Sequence, residues 1–197
     1  MRAFDLVREW PASNTSICVI DRRGVAHIFG DTTRTSRIAS VSKLITAWAT
    51  LIAIEDSSTS LDAKVGQQDC TLAHLLSHAG GYSFDGTVPI VTPGRKRIYS
   101  NTGYELIANH VEQVSEIGFA DFLREAIFEP LGMSKSFLNG SAAHDIVSCV
   151  DDLAKFALEL RNPQLISNIT ASVATTTQYT ELEGVVPGVG RFDPCNW

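Results

Sequence analysis

Residues 38–54 read Ile-Ala-Ser-Val-Ser-Lys-Leu-Ile-Thr-Ala-Trp-Ala-Thr-Leu-Ile-Ala-Ile: a polar head, Ser40-Val41-Ser42-Lys43, on a run that is apolar on every side. Length and the Leu, Ala and Ile content favour a helix over a strand, and a helix with no polar face is enclosed by its own fold. The stretch therefore predicts a buried central helix over 38–56 with Ser40 at its start. Ser40 and Lys43 stand three apart, so they share a helical face and the amine can reach the hydroxyl. A serine hydroxyl becomes a competent nucleophile when a neighbouring base accepts its proton. Lysine serves as that base where desolvation or a second cation disfavours its charged form. Free N–H groups at the helix start would also stabilise negative charge on an attacked carbonyl oxygen. By itself the Ser-x-x-Lys pattern is weak: about one is expected by chance in a chain of this length. A helix N-cap followed by a solvated lysine accounts for the same two residues.

Composition narrows the field. With 197 residues, 44% of them apolar, the chain can bury one sizeable core and is expected to form one domain or two interleaved lobes. A net charge of −6 argues against a nucleic-acid partner, and Arg95-Lys96-Arg97, next to a Pro-Gly turn, reads as local charge. The apolar run Leu44 to Ile54 is shorter than the roughly 18 residues of a membrane span, so no membrane partner is expected. The start of the sequence lacks a signal-peptide apolar region, which gives a cytoplasmic location as the expectation. Cys18, Cys70, Cys149 and Cys195 lack metal-ligand spacing and are expected as reduced thiols. His74 and His78 lie four apart but have no third ligand in register. They read as core or capping histidines, and no metal or cofactor is expected.

Along the chain, Phe4 to Trp10 predicts a short helix ended by Pro11. Ser16 to Asp21 and Val25 to Gly30 predict an antiparallel hairpin turned by Arg22-Arg23-Gly24. Beyond the central helix, 61–66 reads as a turn-rich connection, and Thr71 to Ser77 as a short helix stopped at His78-Ala79-Gly80-Gly81. Helical patterns follow from Tyr104 through Val114, over Phe119 to Phe128, and over Asp151 to Leu160, where acidic residues sit at the start as the helix dipole favours. The remainder is rich in Thr, Gly and Pro. Tyr99 and Asn101, two apart in a segment read as extended, would point to one side and offer a phenol and a carboxamide to one cleft.

Four motifs now stand in order: Ser-Val-Ser-Lys at 40–43, Leu-Leu-Ser-His-Ala-Gly-Gly at 75–81, Tyr-Ser-Asn at 99–101 and Pro-Leu-Gly-Met at 130–133. Together they resemble the serine beta-lactamase and penicillin-binding-protein family, in the branch of class C beta-lactamases, D-alanyl-D-alanine carboxypeptidases and related esterases. The resemblance runs from about Ser16 to the end of the sequence. It implies an α/β (α+β) fold of the beta-lactamase/transpeptidase type, an antiparallel sheet with a helical lobe and the active site between them. In that scheme 1–37 supplies a helix and a hairpin of the sheet, 38–56 the nucleophile helix and 57–197 the helical lobe. The resemblance also implies the roles: Ser40 is acylated, Lys43 and Tyr99 share its proton network with Tyr99 as general base, and Asn101 holds the lysine and the substrate carbonyl. The substrate would be a small amide or ester, whether a beta-lactam, a D-alanyl peptide or a simple ester.

One family element has no counterpart in the sequence after Tyr-Ser-Asn: the Lys-Thr-Gly or His-x-Gly strand that lines the cleft and completes the oxyanion hole. Neither His144 nor Gly188 to Gly190 stands in a suitable strand context. The expectation is thus an incomplete domain whose C-terminal strands are missing and whose exposed sheet edge favours self-association. The alternative function is an inactive remnant that binds penicillin-like ligands without turnover.

Overall fold

The computed structural model describes residues 6–186 and 188–194. The expected N-terminal hairpin is present as β1 (Ile17–Asp21) and β2 (Gly24–Phe29), paired antiparallel from Ile17↔Phe29 to Asp21↔Gly24. Its tight turn is closed by Asp21, whose carboxylate accepts the Arg23 N–H at 2.7 Å, and Gly24 sits at φ 117°, a conformation costly for any other residue. Of the expected helix over Phe4 to Trp10, Leu6 and Val7 are helical and a turn follows; Phe4 and Asp5 lie outside the described residues.

The central helix is α1 (Ser42–Glu55), buried along most of its length, with Ile45 and Ala49 fully enclosed. It is less uniformly apolar than its sequence suggests, because three polar side chains of its first turns fix the segment 142–146. Ser42 Oγ accepts the Ile146 N–H at 3.1 Å, Lys43 Nζ donates to the Ala143 carbonyl at 3.0 Å, and Thr46 Oγ1 donates to the Ala142 carbonyl at 2.8 Å. Burial of these polar groups is tolerable only because each is paired.

The remaining helices are α2 (Leu72–Leu76), α3 (Asn101–Ser115), α4 (Phe119–Leu123, continued by a π-type turn over Arg124–Phe128), α5 (Val150–Arg161) and α6 (Asn168–Thr175). One apolar core joins α1 to α3, α4 and α5 through Trp48, Val111, Leu123, Ile127 and Phe156; Trp48 meets Phe156 edge-on at 6.3 Å. The indole N–H of Trp48 ends on the buried carboxylate of Glu159 at 3.1 Å. A second core, with Leu72, Leu75, Tyr104 and Ile107, binds α2 to α3.

Region 57–197 is more than a helical lobe. Besides its helices it carries β4 (Arg97–Ile98), β5 (Phe137–Leu138), β6 (Ile146–Ser148), β7 (Gly184–Val186) and β8 (Gly190–Phe192). With β3 (Ser36–Arg37) these form two small sheets, β3-β6-β5 and β4-β7-β8, separate from the hairpin, and β4 pairs with β7 in parallel. Gly190 therefore opens a strand, contrary to the expectation for 188–190. Arg97, which the sequence offers as local charge beside a turn, is fully buried. Among the described residues no helix is long and apolar enough to cross a membrane. Cys18, Cys70 and Cys149 are free thiols, and Cys195 lies outside the described residues.

Candidate active site

Ser40 does not begin the α-helix. It stands in a 3-10 turn, Ala39–Val41, directly ahead of α1, and the turn is entered through Ala39 at φ 47°. That left-handed residue turns the chain so that Ser40 is exposed at the rim while Lys43, one turn further on, is only 4% exposed. The Lys43 ammonium meets three oxygens: Asn101 Oδ1 at 2.6 Å, the Ala143 carbonyl at 3.0 Å and Ser40 Oγ at 3.5 Å. Three acceptors match the three donors of an ammonium group, and the contact to Ser40 is the longest of them.

Tyr99 and Asn101 converge on the same lysine, although by a different local geometry from the extended one predicted. Ser100 is extended (φ −137°, ψ 127°) and is the N-cap of α3, accepting the Gly103 N–H with its side chain; Asn101 is already helical. Asn101 reaches Lys43 from the first turn of α3. The Tyr99 ring lies under Lys43 Nζ, 4.6 Å from its centroid, with the Tyr104 ring at 5.7 Å on another side. Backbone pairing of Tyr99 N–H with the Val185 carbonyl, at 3.2 Å, ties this segment to β7.

His78 lies under the site, between two tyrosines: its ring centroid is 4.6 Å from that of Tyr99 and 5.2 Å from that of Tyr104. Its Nδ1 accepts the Ser100 N–H at 3.1 Å, which assigns the proton to Nε2 in the neutral ring. Burial, reinforced by the charges of Lys43 and Arg97, pushes the imidazole pKa down to about 3. Burial likewise raises the Tyr104 phenol, aided by neighbouring Tyr99, and its hydroxyl donates to the Leu76 carbonyl at 3.2 Å. His74, by contrast, caps α2: it accepts the Thr71 N–H while Thr71 Oγ1 accepts the His74 N–H. The two histidines of the i, i+4 pair thus have separate structural duties.

Ser40, Lys43 and Tyr99 line a cavity of about 410 Å³ together with the apolar side chains of Leu44, Ala47 and Leu76. Residues 173–178, at and after the end of α6, also line it. The structure brings together all four residues singled out in the sequence, Ser40, Lys43, Tyr99 and Asn101. Sequence reasoning missed the Ala143 carbonyl, the Asp85 carboxylate on Asn101 Nδ2 (2.8 Å) and Arg97. The Arg97 side chain donates to the carbonyls of Ser77 (2.5 Å), Tyr179 (3.2 Å) and Gln178.

The family model described as beta-lactamase matches residues 31–192, which enclose every one of these groups. The chain belongs to the serine beta-lactamase and penicillin-binding-protein family. A crystal structure of a beta-lactamase from Mycobacterium bovis superposes with a TM-score of 0.97 at 37% identity, over 99% of this chain and 73% of that one. A beta-lactamase/D-alanine carboxypeptidase from Yersinia pestis shares the fold at a TM-score of 0.67 and 21% identity, over 83% of this chain and 67% of that one. Penicillin-binding protein 4* of Bacillus subtilis is 28% identical over a match that covers 50% of this chain and 29% of that protein. The chain thus spans under a third of that relative. The assignment fits the beta-lactamase/transpeptidase-like mixture of helices and strands described above.

Proposed function

We propose that the protein is a serine hydrolase that forms an acyl-enzyme on Ser40 from a small amide or ester. The observation that carries this reading is Lys43 Nζ held between Asn101 Oδ1 at 2.6 Å and Ser40 Oγ at 3.5 Å, with the Tyr99 ring 4.6 Å away. The three polar contacts of the lysine amine are all to oxygens, so in the resting site it acts as a donor. The proton acceptor is then Tyr99, whose phenolate the lysine cation would stabilise. Ser40 Oγ attacks the carbonyl carbon as its proton passes to Tyr99. The tetrahedral intermediate collapses with rupture of the C–N or C–O bond, and the leaving group takes the proton. Water attacking the ester of Ser40 then releases the acid and restores the serine.

The family and its relatives support a beta-lactam or a D-alanyl peptide as substrate, and a simple ester is the further substrate that the motif resemblance implies. Exposure to a fluorescent penicillin and to a fluorophosphonate, followed by peptide mass spectrometry, tests the reading. The adduct is expected on Ser40; label on Ser42 or Ser100 with Ser40 unmodified would overturn it. A second reading, acylation without turnover, is favoured by one observation: among the described residues no strand carries Lys-Thr-Gly or His-x-Gly. Stoichiometric label that persists, with no product accumulating, is its signature.

A further inference from the structure

We infer that Asp85 is a positioning residue of this site: its carboxylate, by holding Asn101 Nδ2, fixes which end of the Asn101 amide faces Lys43. The inference rests on the proposed role of Ser40 and Lys43. A carboxamide offers one acceptor oxygen and one NH2 donor, whereas an ammonium only donates and a carboxylate only accepts. Asn101 stands between the two, with Oδ1 2.6 Å from Lys43 Nζ and Nδ2 2.8 Å from Asp85 Oδ1. Turning the amide over would set NH2 against the ammonium and oxygen against the carboxylate, two repulsive contacts in place of two charge-assisted bonds. Asp85 is exposed, yet its loop is not loose. The Phe84 carbonyl accepts the Asn101 N–H at 2.7 Å, the Ser83 carbonyl accepts the Ser100 hydroxyl at 2.7 Å, and the Gly86 N–H closes on Ser83 Oγ at 3.0 Å. The same loop lays Phe84 along Tyr99 with ring centroids 6.0 Å apart. Loop 83–86 therefore touches both the tyrosine and the asparagine that surround Lys43, and Asp85 supplies its one charged contact to Asn101.

The test compares Asp85→Ala with Asp85→Asn in two readouts. In the acylation rate of Ser40 by a fluorescent penicillin, Asp85→Ala is expected to be slower by about tenfold, the weight of one charge-assisted hydrogen bond. Asp85→Asn keeps an acceptor oxygen and should recover most of the rate. In an Asn101→Ala background, Asp85→Ala should cost nothing further, because the amide through which it acts is gone. Equal slowing in both backgrounds would overturn the inference. The second readout needs no activity: in protein labelled with 15N-asparagine, the Asn101 side-chain NH2 should shift and exchange faster with water in Asp85→Ala. An unchanged Asn101 amide would overturn the inference as well. A parent protein that takes no label on Ser40 would instead refute the proposed function, and the amide signal would still decide the role of Asp85.

Discussion

The His78 imidazole lies 4.6 Å from the Tyr99 ring at 38°, and its Nδ1 accepts the Ser100 N–H at 3.1 Å, so one enclosed side chain sets both the ring and the backbone of the Tyr-Ser-Asn segment. Its folded pKa of about 3 lies below the ordinary 6.5. The unfolded chain therefore takes up a proton on this ring at a higher pH than the folded chain. Stability from the neutral ring is fully present above about pH 6.5 and is lost as pH falls toward 3, at about 1.4 kcal/mol per unit. His78→Asn keeps an acceptor for Ser100, tolerates the left-handed backbone there (φ 56°) and does not titrate. Urea midpoints measured from pH 7 to pH 4 should fall less steeply in His78→Asn than in the parent; parallel curves would show that His78 titrates normally.

Tyr99→Phe is expected to separate chemistry from stability, whereas Lys43→Met should lose both. Tyr99→Phe removes only the hydroxyl and leaves the ring on His78 and Lys43, so acylation should slow by about 10²- to 10⁴-fold with little change in melting temperature. Lys43→Met should slow acylation at least as much. It also strips the donor from Asn101 Oδ1 and the Ala143 carbonyl, at a cost of about 1–3 kcal/mol for each acceptor left bare. Stopped-flow labelling beside urea unfolding reads both. A Tyr99→Phe variant that reacts at the parent rate would make Tyr99 a packing residue.

What the sequence revealed of this site follows from how each part is encoded. Ser40, Lys43, Tyr99 and Asn101 were legible because each carries its chemistry in the side chain, at motif spacing, and because the apolar run of α1 announces a buried helix. The third acceptor of Lys43 was not legible, since the Ala143 carbonyl is backbone and has no side-chain signature. Asp85 was hidden in a loop whose position depends on long-range hydrogen bonds to Ser100 and Asn101. Strands β4, β7 and β8 are two or three residues long, too short for alternation to register, and the Thr- and Gly-rich composition around them reads as coil. Tyr99 and Ser100 give the sequence an extended look that carries over to Asn101, whereas the Ser100 cap starts α3 earlier than periodicity suggests.

The left-handed Ala39, at φ 47°, holds a conformation that costs an L-residue about 1 kcal/mol or more and directly precedes the nucleophile. Ala39→Gly should be neutral or raise stability by up to about 1 kcal/mol. Ala39→Val should destabilise by about 1–3 kcal/mol, since a β-branched residue fits this region poorly, and should slow labelling of Ser40 by shifting the turn. Thermal melts and labelling rates on the two variants check this. A valine variant as stable and as reactive as the parent would show that the turn does not set the serine.

Arg97 is the fully buried cation of β4, and its guanidinium spans the gap between Ser77, which precedes His78, and the carbonyls of Gln178 and Tyr179 next to the cavity wall. Carbonyl oxygens from both sides converge on it, so the rigid fork of donors joins the floor of the site to residues 178–179. Arg97→Met retains the apolar stem but takes the donor from those half-buried carbonyls, a loss of about 3 kcal/mol by the usual weight of hydrogen bonds to a charged group. Arg97→Lys restores the charge without the fork and should recover only part of it. The effect should also be local, because the guanidinium holds 178–179 while α1 and α4 pack in a separate apolar core. Limited proteolysis is therefore expected to cut between 173 and 186 in Arg97→Met under conditions where the parent resists. Acylation of Ser40 should slow as the Ser77-His78 support of Tyr99 relaxes. Uniform loss of stability with no new cleavage there would mean that Arg97 serves the core as a whole instead of joining the wall to the site.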